Sequence, residues 1–285
     1  MNAFGKTRPE IKEILTDSEV STYINNTLIT VLKTLDIENP KAIVTQLLTL
    51  AKKPKLEYEE SAHDLLTERG VTKQRIAEKL SGRADLIVRQ IKPYLKGTSV
   101  LDFGCGDGKV GHILSKEGYN VTLTDIYEHD HIKDTNLPFQ IFKQGEQVTL
   151  DQTYDNILLL TVLHHSDDPV KTLRDARRLL NPNGHLIVIE SVYGIEAKKG
   201  TQTETEFTHL SSEQQRRANI IFDHFYNRII HFRRANKVNV PFNFNTPEEW
   251  NNLAKKESLE EITTKTLGID QPTVPEYHTL HVWRC

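Results

Sequence analysis

Residues 100–108 read VLDFGCGDG, an apolar run that passes into a turn with glycine at three alternate positions. Glycine is needed where a Cβ would collide with a ligand or force an unfavourable backbone dihedral, so this pattern indicates a nucleotide-like ligand. Dinucleotide enzymes use Gly-x-Gly-x-x-Gly, whereas the spacing here is Gly-x-Gly-x-Gly with the acid Asp102 two residues ahead. A carboxylate at this place would repel a pyrophosphate and would suit a positive ammonium group.

A second carboxylate, Asp125, ends the next predicted strand, which follows the glycine turn and one helix. From the end of a second strand, a carboxylate can accept hydrogen bonds from both hydroxyls of a ribose. The two acids together therefore predict a ligand that carries both a cation and a ribose. S-adenosylmethionine has both.

Beyond residue 96 the pattern alternates between short apolar runs and helices of ordinary length, which favours a parallel sheet with helical crossovers. The expected fold class is α/β, a Rossmann-like doubly wound sheet of seven mostly parallel strands. The predicted strands are 99–103, 120–125, 139–143, 156–162, 185–191, 261–267 and 278–284, and the helices between them are 109–117, 127–133 and 169–180.

The chain before the glycine turn has helical periodicity and no convincing alternating strand, with predicted helices at 41–53, 58–69 and 72–94. We assign residues 1–92 to a helical N-terminal cap and residues 93–285 to the sheet domain. A polar stretch with one aromatic helix at 211–232 interrupts the sheet domain after its fifth strand. We expect this insert, 193–245, to act as a lid, and a further helix to run from 246 to 256.

These motifs resemble those of the class I S-adenosylmethionine-dependent methyltransferases. The chain also carries YDNILLL at 154–160, followed by VLHH at 162–165, and LLNPNGHL at 179–186, which is similar to the turn before their fifth strand. The likeness covers roughly 86–285 and lies nearest the type 11 group of small-molecule enzymes. It implies S-adenosylmethionine as cofactor and methyl transfer to a small acceptor, with O- or N-methylation favoured.

The resemblance also implies a role for each matching residue. Asp102 and the backbone of the glycine turn and of Thr161 would hold the methionine part, Asp125 the ribose, and Ile126 one face of the adenine. Gln144 replaces the commoner carboxylate beside the adenine amine and would act with Gly145. The expected cofactor-binding residues are Asp102, Gly104, Cys105, Gly106, Asp125, Ile126, Gln144, Gly145 and Thr161.

Methyl transfer needs an acceptor lone pair aligned behind the methyl carbon, which enzymes supply mainly by positioning and by excluding water. His164 and His165 follow the fourth strand, where ligands meet in open α/β sheets. We predict His165 as a general base, with His164, Tyr226 and His231 as further candidates. The alternative for His165 is a loop histidine that caps the next helix.

Charge and composition limit the classes of partner that the chain can bind. Lysine and arginine total 36 against 39 acids, a net charge of −3, so no positive field is available to collect nucleic acid. The longest nearly apolar run, 157–163, is far shorter than the roughly 20 residues that cross a bilayer. We expect a small-molecule substrate and no nucleic-acid or membrane partner, and a homodimer stays open.

The start of the chain lacks an apolar stretch with a small-residue cleavage site, and Cys105 and Cys285 cannot build a disulfide framework. Cytoplasm is therefore the expected location. No metal is expected, because no His-x-x-x-His pair on one helix and no cysteine partner supports a site. Two other functions stay open at this point: a non-catalytic sensor or scaffold that binds S-adenosylmethionine, and an NAD-dependent oxidoreductase, which Asp102 and the glycine spacing disfavour.

Overall fold

A computed structural model describes residues 11–143, 145–232, 240–269 and 271–285. Gln144, the predicted contact of the adenine amine, lies outside the described residues. In chain order, the helices are α1 Ile11–Ile14, α2 Ser18–Thr34, α3 Pro40–Leu50, α4 Lys55–Glu68, α5 Lys73–Lys79, α6 Arg83–Ile91, α7 Lys109–Lys116, α8 Asp130–Lys133, α9 Pro169–Arg178, α10 Gln202–His209, α11 Ser212–His224 and α12 Pro247–Lys256. Short 3-10 helices occupy Lys92–Tyr94 and Leu163–His165, and a π-helix occupies Phe225–Ile229.

Seven strands form one sheet in the order β3-β2-β1-β4-β5-β7-β6, with parallel pairing of β1 with β2 and β4, of β2 with β3, and of β4 with β5. This order and pairing confirm the predicted Rossmann-like fold. The strands are β1 Ser99–Phe103, β2 Asn120–Asp125, β3 Phe139–Ile141, β4 Tyr154–Leu160, β5 Leu180–Ser191, β6 Glu260–Gly268 and β7 His278–Arg284.

The chain divides into two compact units. The unit that we call the sheet unit is drawn from Gly82–Glu190, Pro247–Thr266 and Thr279–Cys285. The other, which we call the helical unit, is drawn from Met1–Ser81, Ser191–Thr246 and Leu267–His278. Among the described residues, no helix combines the length and the apolar character that crossing a bilayer requires.

The core of the sheet unit lies along β1 and β4, whose apolar side chains are buried almost without interruption. Such continuous apolar runs are expected for parallel strands that helices cover on both faces. Asn156 ties the start of β4 to the chain that enters β1, because its side chain accepts from the Lys96 amide at 2.8 Å and donates to the Ser99 carbonyl at 3.2 Å. These hydrogen bonds hold the start of β4 beside the start of β1.

The helical unit joins the N-terminal helices to the insert. Gln214, in α11, donates a hydrogen bond to the N-cap residue Asp17 of α2, and His63 Nδ1 in α4 lies 2.8 Å from the Ile229 carbonyl. α10 and α11 each begin with a capping box, with Thr201 and Ser211 as the N-cap residues. In each box the N-cap hydroxyl accepts from the backbone amide three residues on, whose side chain accepts from the N-cap amide. The two segments that the sequence separates are thus parts of one unit.

Several predicted helices differ from the observed ones at their end residues, such as 127–133, which is observed as Asp130–Lys133, and two differ in their internal structure. The predicted helix 72–94 is divided into α5, α6 and a 3-10 turn, with a break before Gly82, the N-cap of α6. The predicted helix 211–232 starts correctly but changes to a π-helix at Phe225, and α10 was not predicted. In both cases the apolar periodicity continues across a change in backbone geometry, so periodicity alone does not show the break.

Asp155, at the start of β4, makes a prediction about stability possible. Its Oδ2 accepts from the Thr98 and Ser99 amides at 3.0 and 3.1 Å, and its Oδ1 accepts from Asn181 at 2.8 Å. The hydrogen bond from Asn181, followed by that from the Ser99 amide, lowers its pKa from 3.8 to about 2. A carboxyl group whose pKa is lower in the folded chain than in the unfolded chain stabilises the fold at any pH above its unfolded pKa. This contribution disappears as the pH falls through the pKa of the folded chain.

Asp155→Asn should lower the free energy of unfolding by about 1 kcal/mol near neutral pH, after allowance for solvent screening of this half-buried group. The difference from the wild type should shrink as the pH falls from 3.8 to about 2. Urea titrations across that range provide the measurement, with the exposed Asp151→Asn as matched control. A deficit that is independent of pH would contradict the assignment.

Candidate active site

The glycine turn follows β1 and is held against β2. The Gly104 and Cys105 amides both donate to the Thr124 carbonyl, at 2.8 and 3.1 Å. Gly104 has φ +77°, and a Cβ there would lie 2.7 Å from Val162 Cγ2, so only glycine fits. At Gly106, with φ +55°, a Cβ would meet nothing within 4 Å among the described residues. The turn is therefore tightly packed on one side and open at Gly106, where a ligand can approach the backbone.

Asp102 is a buried carboxylate near the end of β1, with 2% of its surface exposed. Burial raises its pKa to about 7, the nearby Gly111 amide lowers it, and the charges of Asp125 and Asp107 raise it further. Its Oδ2 has no hydrogen-bond partner among the described residues. A buried acceptor without a partner is energetically costly, so the carboxylate fits a ligand that brings a cationic donor.

Asp125 joins the end of β2 to the glycine turn. Its Oδ2 accepts from the Gly106 amide at 2.8 Å and its Oδ1 from the Ile126 amide at 2.6 Å. Burial raises its pKa, while the amides of Gly106, Ile126 and Tyr127 lower it. Each carboxylate oxygen has a second lone pair, so the group can hold the turn and still accept from the hydroxyls of a ribose.

Apolar surface lies beside Asp125. Ile126, the predicted adenine contact, is 36% exposed, and Ile141 at the end of β3 is 55% exposed. Ile141 pairs with Asp125 in the register of β2 and β3 and was not predicted as a site residue. Gly145 has φ +83° and open space around its Cβ position among the described residues. Exposed isoleucines at the ends of neighbouring strands provide an apolar face on which a flat ring can pack.

Thr161 and Cys105 have fewer groups available to a ligand than their positions in the sequence indicate. The Thr161 amide donates to the Ile189 carbonyl at 2.7 Å and its hydroxyl donates to the Leu160 carbonyl at 2.7 Å, so its own carbonyl is the group left for a ligand. Its backbone is left-handed, with φ 59°. Burial raises the pKa of the half-buried Cys105 thiol, which is therefore neutral at physiological pH.

His164 and His165 lie in the 3-10 turn that follows β4. His164 is 2% exposed, and its Nδ1 lies 2.5 Å from Glu190 Oε2. The ring of the half-buried His165 is next to that of His164, with centroids 3.9 Å apart and an interplanar angle of 44°. Of the two predicted histidines, His165 is thus the more accessible.

Glu190, near the end of β5, is a site residue that the sequence analysis missed. Its Oε1 accepts from the Val162 and Leu163 amides, at 2.9 and 2.6 Å, while Oε2 binds His164. Burial raises the pKa of this fully buried carboxyl to about 8. An acid that ends the apolar run LIVIE at 186–190 is the same signal that identified Asp102, and it could have identified Glu190.

The remaining predicted catalytic residues, Tyr226 and His231, belong to the helical unit. The Tyr226 hydroxyl lies in the π-helix and donates to the Thr273 carbonyl, and burial together with the charge of Glu276 raises its pKa. His231 follows the π-helix and is half-buried. The catalytic roles of both residues stay predictions.

A family model described as a methyltransferase domain matches residues 71–239, more than half of the chain. Among curated proteins, a ubiquinone biosynthesis O-methyltransferase of Coxiella burnetii is 30% identical over 145 residues, which are 42% of this chain and 62% of that protein. The chain therefore spans less than two thirds of the length of that relative.

Solved structures with a similar backbone have low sequence identity. A methyltransferase described as S-adenosylmethionine-dependent, from Methanosarcina mazei, has a TM-score of 0.49 and 18% identity, covering 68% of this chain and 96% of that one. The 1,6-didemethyltoxoflavin-N1-methyltransferase of Burkholderia thailandensis, solved with bound 1,6-didemethyltoxoflavin and S-adenosylhomocysteine, has a TM-score of 0.45 and 14% identity, covering 70% of this chain and 75% of that one.

The contact between Glu190 and His164 predicts a tautomer. Above pH 8, where the Glu190 carboxyl is ionised, a carboxylate faces Nδ1 and the neutral His164 ring should carry its proton on Nδ1. Glu190→Gln offers an amide instead, and its oxygen is retained by the Val162 and Leu163 amides, so the Gln NH₂ should face Nδ1 and move the ring proton to Nε2.

Long-range ¹H–¹⁵N correlation spectra of the histidine rings measure this change. His185 is the internal control, because its Nδ1 lies 2.7 Å from the Tyr94 carbonyl and should keep its proton in both proteins. A wild-type His164 protonated on Nε2 would show that the contact with Glu190 does not set the tautomer.

Proposed function

We infer the activity of this chain from its family, since it belongs to the methyltransferase-domain family. We propose that it transfers the methyl group of S-adenosylmethionine to a small-molecule acceptor, at oxygen or nitrogen. The observation that carries the proposal is the pair of buried carboxylates on neighbouring strand ends, Asp102 with an unpaired oxygen and Asp125 with free lone pairs, on either side of an open glycine turn.

The residues of the sheet unit would divide the work of binding. The cofactor supplies an electrophilic methyl group on a sulfonium. Asp102 and the Thr161 carbonyl would hold the ammonium group of its methionine part, and Asp125 would accept from the ribose hydroxyls. Ile126 and Ile141 would pack against the adenine.

His165 would accept the proton that an acceptor hydroxyl or ammonium loses. It follows β4 on the same turn as His164, and the fixed His164 ring, bound to Glu190, restricts where the His165 ring can lie. A positioned histidine suits general base catalysis because its ordinary pKa lies near neutral pH. Positioning and base catalysis require no metal, so the transfer should survive chelation.

The N-terminal helices and the insert also have a place in the proposed function, as do the location and the partners of the enzyme. We propose that the N-terminal helices and the insert 193–245 provide the acceptor side, as a lid over the bound molecules. We also propose a cytoplasmic enzyme, since Cys105 and Cys285 are free thiols, and no nucleic-acid partner, since the net charge is −3.

Asp125→Asn should weaken binding of S-adenosylhomocysteine by about 1.5–3 kcal/mol, roughly 10- to 150-fold, because the ribose hydroxyls lose a charged acceptor. Isothermal titration calorimetry measures this loss. Asp130→Asn is the matched control, since Asp130 is 99% exposed and pairs only with Lys133 among the described residues. Unchanged affinity in Asp125→Asn would refute the cofactor assignment, and stabilisation by NAD instead would favour an oxidoreductase.

His165→Ala should lower kcat by roughly 10²–10⁴-fold, with little change in affinity for S-adenosylhomocysteine, and should remove an ascending limb from the pH–rate profile. Turnover on a panel of phenols, catechols and amines provides the readout, with the exposed His209→Ala as control. A variant with wild-type kcat and pH profile would reduce His165 to a wall of the site. Cofactor binding without turnover on any acceptor would support the sensor function instead.

A further inference from the structure

Glu276, in the helical unit, is a buried carboxylate that the proposed transfer does not use. It is 8% exposed, and its Oε2 accepts from the Ser191 hydroxyl at 2.6 Å. Its other oxygen makes no hydrogen bond with any residue in the described ranges. One neutral donor compensates a buried carboxylate poorly, because burial of a charge is strongly unfavourable unless the group is paired and fully hydrogen-bonded.

The helical unit contains a cluster of aromatic rings that includes the residue next to this carboxylate in the chain. The Phe207 ring lies between those of Tyr23 and Tyr277, with centroid distances of 5.8 and 5.9 Å, and Glu276 is the chain neighbour of Tyr277. The Val192 amide donates to the Tyr277 carbonyl at 2.8 Å, and Ser191, which precedes Val192, donates to Glu276, so the ring cluster and the carboxylate border the same stretch of chain. One face of Tyr277 already holds a cation, Lys198 Nζ at 4.7 Å from the ring centroid.

Buried polar atoms of the same region lack partners. Three polar atoms make no hydrogen bond with the described residues: the Tyr277 hydroxyl, Asn219 Oδ1 and Thr273 Oγ1. The residues that carry them are at most 1% exposed. They belong to this region because Asn219 also donates to the carbonyl of Val192, the residue after Ser191, and Tyr226 donates to the Thr273 carbonyl. Native interiors leave few such atoms, so a group of them beside a carboxylate indicates a missing polar occupant.

We propose that the helical unit binds a small organic cation, a primary or secondary amine with an apolar or aromatic body, whose ammonium group donates to Glu276. Carboxylate and aromatic faces both attract a cation, and together they reject an anion. That this amine is the methyl acceptor rests on the proposed function. In that case the Glu276 carboxylate accepts the proton that the nitrogen gives up, the freed lone pair forms the bond to the methyl carbon, and the sulfur retains the electron pair of the broken S–C bond.

Calorimetry on the full chain saturated with S-adenosylhomocysteine tests the binding of the amine. The probes are benzylamine, phenethylamine and hexylamine, each paired with the alcohol that differs only by a hydroxyl in place of the amine. At least one amine should bind tenfold or more tightly than its alcohol. Glu276→Gln should abolish this preference, and Glu196→Gln, which changes an exposed acid in the same unit, should preserve it.

Tyr277→Phe provides a second test that removes only a hydroxyl. It should weaken the amine and its alcohol alike, because the carboxylate is retained. If Glu276→Gln does not fold, the wild-type comparison of amine with alcohol still decides the proposal. Equal affinities, or no binding by any amine, would overturn it and assign the unpaired atoms to ordered water.

The two proposals fail separately. Binding of S-adenosylhomocysteine without a preference for amines would refute the cation site and leave the methyltransferase function standing. A clear preference for amines in a protein that does not bind S-adenosylhomocysteine would refute the methyltransferase function and leave the cation site standing.

Discussion

The hydrogen bond from the Gly106 amide to Asp125 is the interaction on which the proposed cofactor site depends. β1 and β2 are parallel neighbours, so their carboxyl ends meet at one edge of the sheet. With the Gly104 and Cys105 amides also bound to the Thr124 carbonyl, the turn cannot leave β2 without losing three hydrogen bonds. Its open face at Gly106 is therefore already shaped before any ligand arrives.

Three buried acids illustrate how their partners separate a structural role from a binding role. Glu190 meets two backbone amides and a histidine, and so it is satisfied within the protein and organises a turn. Asp102 retains a buried oxygen without a partner in the described structure, and Glu276 accepts from the Ser191 hydroxyl. Because an unpaired buried acceptor weakens a fold, such groups are retained where a ligand completes them.

The sequence predicted the elements whose local signals are strong. β1, β2 and β7 have the bounds expected from apolar runs that end at a glycine turn, at Asp125 and at the end of the chain. Boundaries inside long helical stretches were wrong, since periodicity does not record a break such as the one before Gly82. α10 could have been found from its capping box, whose Thr201 and Glu204 stand in the sequence.

The candidate site was predictable where one strand end determines the geometry, as for Asp102 and Asp125. It was not predictable where distant residues meet. Nothing near Glu190 in the sequence indicates that the turn at 162–164 will supply its donors, and nothing near Glu276 indicates Ser191 as its partner. The contact between Asp17 and Gln214, 197 residues apart, likewise has no local signal.

That last separation has a consequence for how the chain reaches its native state. The helical unit is assembled from three stretches of sequence, with the strands of the sheet unit synthesised between them. On the ribosome, α2 must wait for α11 before the contact between Asp17 and Gln214 can form. Contacts this far apart in sequence slow folding, because a long loop must close before they are gained. During that wait the apolar faces of the first helices stay uncovered, which makes the nascent chain a substrate for chaperones.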